Sequence, residues 1–600
     1  MNAPQTVALV DLRDDPRYYL RHFRLVLDWV QSRYEDLLAT PERDFLDRFA
    51  ALPDDSQALL VRMITRKGEL FRVSRLAYDE IGDSAAAMAP LADAGFAEID
   101  PRIGLDELFG QLRLPELREA FAERMRQDGL GGAVSKARLR QALDPTRSSD
   151  MEEAGDGPAP GVHEARADDG PRAGDGTDEA ERGGVSRRMS AWWPQTRDTL
   201  ARLTVMPVCD RLRLMFFGNL RQTWSDFVLA ELGVTRFETV AFDEASKAFH
   251  RRAEVDAYLA LQALRERLDE GLVPALALAM LPEVPEGNLW LVQRRVRLLL
   301  SLGKAAQRQG DDATALECYR RGGNGEPRVR RLRLLERRGD HDTAMTLAEQ
   351  ALAGPVSEAE NQALARLLPR LARKLGRKAA PREPEAATET VVLALPRSDF
   401  EASGGVERAV RDHLYRDDAP VFYVENTLIA GLFGLLCWDV VFAPLPGAFF
   451  HPYHHAPADL WREDFTARRR QGFERALAQV ESGGYREKIL ATWHAKQGLS
   501  NPFVHWDGLD EALIRMALDC LPPEHCRACF ERLLVDPSTN RAGLPDLIQF
   551  FPRAEPGELR YRMIEVKAPG DRLQDNQRRW LTFFARQGMP VRVCHVVWTP

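Results

Sequence analysis

Near the end of the chain the run Gly543-Leu-Pro-Asp546 is followed, nineteen residues on, by Glu565-Val-Lys567. Side chains alternate faces along a strand, so Glu565 and Lys567 project to one side of Arg562–Ala568 while Ile564 and Val566 project to the other. If Leu544–Phe551 pairs with this strand as a hairpin, Asp546 joins Glu565 at a single divalent cation. Two carboxylates without cysteine or histidine suit a hard ion, Mg2+ or Mn2+. Such an ion polarises a phosphodiester and lowers the pKa of a bound water, and Lys567 would orient that water or neutralise developing charge. The same letters also fit a plain surface ion pair between Glu565 and Lys567 on an exposed strand.

The flanks narrow the choice. Pro569–Leu573 is a turn, Gln574–Ala585 places Trp580, Leu581 and Phe584 at helical spacing, and Val591–Trp598 reads as a buried strand. Gly-Leu-Pro-Asp, Glu-Val-Lys, Gln577-x-x-Trp580 and a closing valine-rich strand, in that order, resemble the VRR-NUC branch of the PD-(D/E)XK nucleases. The resemblance implies a further acidic ligand from an upstream helix. Glu425, at the head of the apolar stretch Tyr423–Asp439, is the one on offer; it also suits a first-turn charge at the positive helix end. Asp439, Pro444 and Pro446 stop that stretch short of a membrane span, no other stretch approaches one, and the N-terminus lacks the pattern of a signal peptide.

Six hundred residues predict several domains. Seven cysteines, an odd number, favour a reducing compartment and free thiols. Cys520, His525, Cys526 and Cys529 read as buried thiols rather than a zinc site, because a second ligand pair at finger spacing is missing. His451, His454 and His455 fall in a proline-bounded loop expected beside the apolar helix and near substrate. The net charge of −8 argues at first against a nucleic-acid partner, but between Ser148 and Gly184 eleven acids face three arginines, which is also −8. That segment has almost no large apolar residues and reads as a disordered linker; the remainder of the chain is neutral.

The rest is helical. Arg62, Arg66, Lys67, Arg72 and Arg75, with Phe71 and Tyr78 interleaved, would form a basic stripe, and Leu105–Ala120 followed by Ser135–Ala142 looks like a diverged SAP helical pair. Gly310-Asp-Asp-Ala-Thr-Ala-Leu316 and Gly339-Asp-His-Asp-Thr-Ala-Met345 repeat at the turns of TPR-like helix pairs. Between them Arg330, Arg333 and Arg337 line one helical face, suited to phosphate; both basic groups could equally be solvated faces.

Taken with Tyr18-Tyr19 and Phe216-Phe-Gly-Asn219, this order is similar to the Fanconi-associated nuclease family across nearly the whole chain outside the acidic insertion. The expected fold class is multidomain: helical N-terminal and central regions, SAP-like and TPR-like, ahead of an α/β PD-(D/E)XK nuclease domain. The expected divisions are a helical DNA-binding region 1–100, SAP-like 101–147, acidic linker 148–186, helical region 187–285, TPR-like repeats 286–376, linker 377–390 and VRR-NUC 391–600. The resemblance implies a structure-specific nuclease for branched DNA, cutting near 5′ flaps with 5′-to-3′ exonuclease character, in interstrand cross-link repair. It makes Glu425, Asp546, Glu565 and the Val566 carbonyl metal ligands and Lys567 the catalytic lysine. No N-terminal zinc finger of the ubiquitin-seeking kind is found, so ubiquitin is not an expected partner, and a cytoplasmic, nucleoid-associated prokaryotic form is. Two other readings stay open. A restriction-type endonuclease would need a base-reading element, and a DNA-binding scaffold with an inactive fold would have lost one of these positions.

Overall fold

The computed structural model describes residues 15–131, 134–143, 186–224, 236–243, 245–354, 357–378, 388–555 and 557–600. The acidic segment therefore lies, but for its last residue, outside the described residues, as do most of Trp224–Gly233 and the middle of the 377–390 linker. The chain forms two compact units, residues 1–214 with 219–228, and residues 215–218 with 229–600.

In the first unit, helices Tyr18–Tyr34, Thr40–Ala51 and Asp54–Ile64 bury Phe23, Val26, Val30, Phe45, Phe49 and Leu59, with the Phe23 and Phe49 rings edge to face. Three short antiparallel strands follow, β1 (Leu70–Arg72), β2 (Ala97–Ile99) and β3 (Leu200–Leu203), in the order β1-β3-β2. The SAP-like region closes around Leu108, Leu117, Leu139 and Met189. Its first helix does not run from Leu105 to Ala120: it stops at Gln111, and a new helix starts at Leu114. Pro115 is the reason, since proline lacks the N–H that a continuing helix would use and is tolerated only in a first turn.

In the second unit, after helices Arg252–Asp269 and Pro274–Ala279, comes a helical solenoid, Leu289–Arg308, Asp312–Gly322, Glu326–Arg338, His341–Leu352 and α1 (Glu358–Lys374). The two Gly-Asp repeats sit at its turns, where Gly310 (φ 81°) and Gly339 (φ 87°) adopt the left-handed conformation. Gly303 lets the first pair approach closely, since a Cβ there would lie 2.4 Å from the Tyr319 ring.

The nuclease region is a five-stranded sheet. In chain order it comprises β4 (Glu389–Pro396), α2 (Val406–Leu414), β5 (Val421–Tyr423), α3 (Leu428–Leu436), β6 (Leu547–Phe550), β7 (Tyr561–Lys567), α4 (Asp575–Arg586) and β8 (Val591–Thr599), with strand order β4-β8-β7-β6-β5. β4, β8 and β7 run parallel; β6 and β5 run antiparallel to their neighbours. All nine residues of α3 are buried, so the apolar stretch is a core helix, shorter than the sequence suggested. No helix among the described residues is long and apolar enough to cross a membrane. β8 is buried only through Val596: Val597 is 48% exposed, because β7 ends opposite His595 and leaves the last residues paired to β4 alone. The solenoid's last helix docks on the nuclease region. Arg366 of α1 pairs with Asp575 of α4 at 2.6 Å, and Glu358 of α1 pairs at 2.7 Å with Arg532, whose guanidinium stacks on Trp580 and Phe583.

Candidate active site

β6 and β7 form the expected hairpin, with Leu547 opposite Ile564. Asp546 therefore enters at the head of β6, where its Oδ2 accepts the Val566 N–H at 2.7 Å and its carbonyl accepts from Val424 at 2.8 Å. Ile564 and Val566 turn into the apolar layer beneath, with Val406 and Val410 of α2, while Glu565 and Lys567 take the other face. Lys567 Nζ lies 2.8 Å from Glu565 Oε1. The ion pair exists, yet it is not on an exposed strand, because Glu565 is 0% and Lys567 7% exposed. Glu565 Oε2 has no hydrogen-bond partner among the described residues.

Burial raises the pKa of both carboxyls. Asp546 adds to the rise at Glu565, Glu425 adds to it at both, and Lys567 pulls both back. Glu407, in the first turn of α2, also raises Asp546. Several carboxylates thus act on one ammonium, with a buried oxygen unused. That donor set fits a hard divalent cation, which would replace their repulsion by attraction.

Glu425 stands back from the pair. It lies in the turn before α3, not in the helix, and its carboxylate accepts from Tyr423 OH at 2.5 Å and Asn426 Nδ2 at 3.2 Å. Among the described residues no three of His, Cys, Asp or Glu are gathered at metal-ligand spacing. All seven cysteines are free and buried, and the His525 ring meets Tyr561 OH at 2.8 Å. Within the histidine loop the three imidazoles differ, and only His455 is exposed. His451 is 1% exposed, stacks on His454 at 3.9 Å and packs on Phe216 and Phe217, and burial holds its imidazole neutral well below the usual pKa.

The basic groups have different surroundings. Arg72 is buried between Asp198 (2.5 Å) and Glu116 (2.6 Å), and Phe71 is buried too, so neither belongs to a surface stripe. Arg62 stacks on Tyr19 and bonds Glu80, and Arg75 is exposed near Glu116. Arg66 and Lys67 are exposed. In the solenoid Arg330 pairs with Glu326 and Arg337 with Asp312, whereas Arg333 is exposed with no ion pair among the described residues. Sequence reasoning missed Glu407, Tyr423 and Asn426. The alternation of β5 could have offered Tyr423; the others depend on contacts far apart in the chain.

Family models match residues 17–98 (FAN1, HTH domain), 103–154 (Fanconi anemia-associated nuclease SAP domain) and 480–598 (VRR-NUC domain). The chain is 46% identical over 587 residues to the Fanconi-associated nuclease 1 homolog of Pseudomonas aeruginosa, covering 97% of this chain and 96% of that one. It is 25% identical to the Arabidopsis thaliana homolog, covering 97% of this chain and 67% of that one. The crystal structure of paFAN1 bound to 2nt 5′flap DNA with gap superposes with a TM-score of 0.86 at 45% identity, covering 98% of this chain and 99% of that one. A carboxylate pair and lysine on adjacent strands of this sheet, under a matching VRR-NUC domain, define a DNA phosphodiesterase of a class that works with divalent metal ions. The chain belongs to the Fanconi-associated nuclease family, in its prokaryotic form.

Proposed function

We propose that this chain cuts branched DNA near 5′ flaps, with 5′-to-3′ exonuclease character, in interstrand cross-link repair in a bacterial cytoplasm. The observation that carries it is the buried Asp546–Glu565–Lys567 group on paired strands; the similarity to a relative crystallised with 5′-flap DNA supports the substrate. Asp546, Glu565 and the Val566 carbonyl would hold Mg2+ or Mn2+, with Glu425 completing the site. That ion, when bound, supplies Lewis-acid polarisation of the phosphate and a water of lowered pKa. Asp546 is held in place by the Val566 N–H. Lys567, fixed beside Glu565, hydrogen-bonds the attacking water and opposes the charge that builds on the phosphoryl oxygens. Exposed Arg66, Lys67 and Arg333 contact backbone phosphate.

End-labelled flap, fork, nicked and linear duplexes digested by one preparation test the reading. Flap and fork should be cut first, with Mg2+ or Mn2+ and not after chelation, and Asp546→Ala should cut none while still binding flap DNA. Equal cutting of all four substrates, or metal-dependent cutting by Asp546→Ala, overturns it.

A further inference from the structure

Asn426 follows Glu425 and precedes Thr427, the N-cap of α3. Its φ of 53° makes it one of two described non-glycine residues in positive-φ backbone. Asparagine tolerates that region better than most residues, and strain of this kind persists where the surroundings over-determine it. Here they do. Its Oδ1 accepts from Gly543 N at 2.9 Å and Leu544 N at 3.2 Å, while its Nδ2 donates to Glu425 Oε1 at 3.2 Å. The turn it holds has no room to drift, because Gly543 (φ 94°) is pressed on α4 so closely that a Cβ would lie 2.7 Å from the Asn576 backbone.

We propose that Asn426 is a positioning residue that sets the spacing between Glu425 and Asp546, by clamping one carboxylate directly and the turn that carries the other through two amides. The proposal rests on the reading of these carboxylates as the metal site. Thr427 and the apolar α3 anchor the clamp on one side and the Gly543 turn on the other. Its loss should therefore loosen the site without opening the core.

Mn2+ titrated calorimetrically into DNA-free protein tests this. Asn426→Ala and Asn426→Gly are each expected to bind Mn2+ about tenfold more weakly, as is usual when a group that orients a ligand is removed. Flap affinity in chelator should stay unchanged, and raised Mn2+ should return cleavage toward the wild-type rate. Glycine accepts the left-handed backbone without strain, so it carries the test if the alanine variant misfolds. Wild-type Mn2+ affinity in Asn426→Gly overturns the proposal, and so does a matching loss of metal-free flap binding, which marks general damage. Asp546→Ala separates the underlying reading: if it binds Mn2+ like wild type, the carboxylate site itself is wrong.

Discussion

Glu565 is a carboxylate shut away from water with a single ammonium beside it, and Asp546 and Glu425 act on it as like charges. Ionising it in the folded protein costs more than ionising it in the unfolded chain, so its pKa is raised on folding. A carboxyl raised in this way binds its proton more tightly when folded. The stability it contributes is present below the ordinary carboxylate range and is lost as pH rises through the raised value. Asp546 acts in the same direction. In chelator, the melting temperature should therefore fall as pH rises from the ordinary carboxylate range toward neutrality, through this pair. Mn2+ should stabilise most at the upper end, where protons no longer compete. Differential scanning calorimetry across pH checks this, and Glu565→Gln should flatten the chelated slope; an unchanged slope in that variant would place the protons elsewhere.

At the scale of elements, arginines that look alike in sequence do different work. Arg72 sits on β1 with its guanidinium buried between two acids, so Arg72→Gln takes the buried cation from both and should cost about 3 kcal/mol in unfolding free energy. Arg66→Gln, Lys67→Gln and Arg333→Gln should change stability little, yet each should lower the salt slope of flap binding by about one phosphate contact. Titrations across a salt series separate the two behaviours. Sequence alone carried the β6–β7 hairpin, the alternation of Glu565 with Val566 and the solenoid turns, because these depend on neighbours within one element. It could not carry the burial of Arg72, whose partner Asp198 is 126 residues away, nor the hold of Asn426 on Gly543 across 117 residues. Nor could it carry the packing of His451 on Phe216 and Phe217, which come from a distant helix.

At the scale of the whole chain, the −8 carried between Ser148 and Gly184 equals the net charge of the protein. Deleting residues 150–181 should leave flap cleavage near wild type, since the segment offers almost nothing apolar to pack; a several-fold change in rate would give the insertion a role. The docking of α1 on α4 bears on how this protein can be taken apart. By sequence, the break near Pro381 invites expression of the nuclease region as a separate piece. Such a piece would keep Arg532 stacked on Trp580 and Phe583 but lose Glu358, and would lose Arg366 from Asp575. It should be prone to aggregate, while the full chain cut once near Pro381 should elute from a sizing column with solenoid and nuclease fragments still together. A cut at the boundary that the sequence suggests is then not a cut that takes the molecule apart.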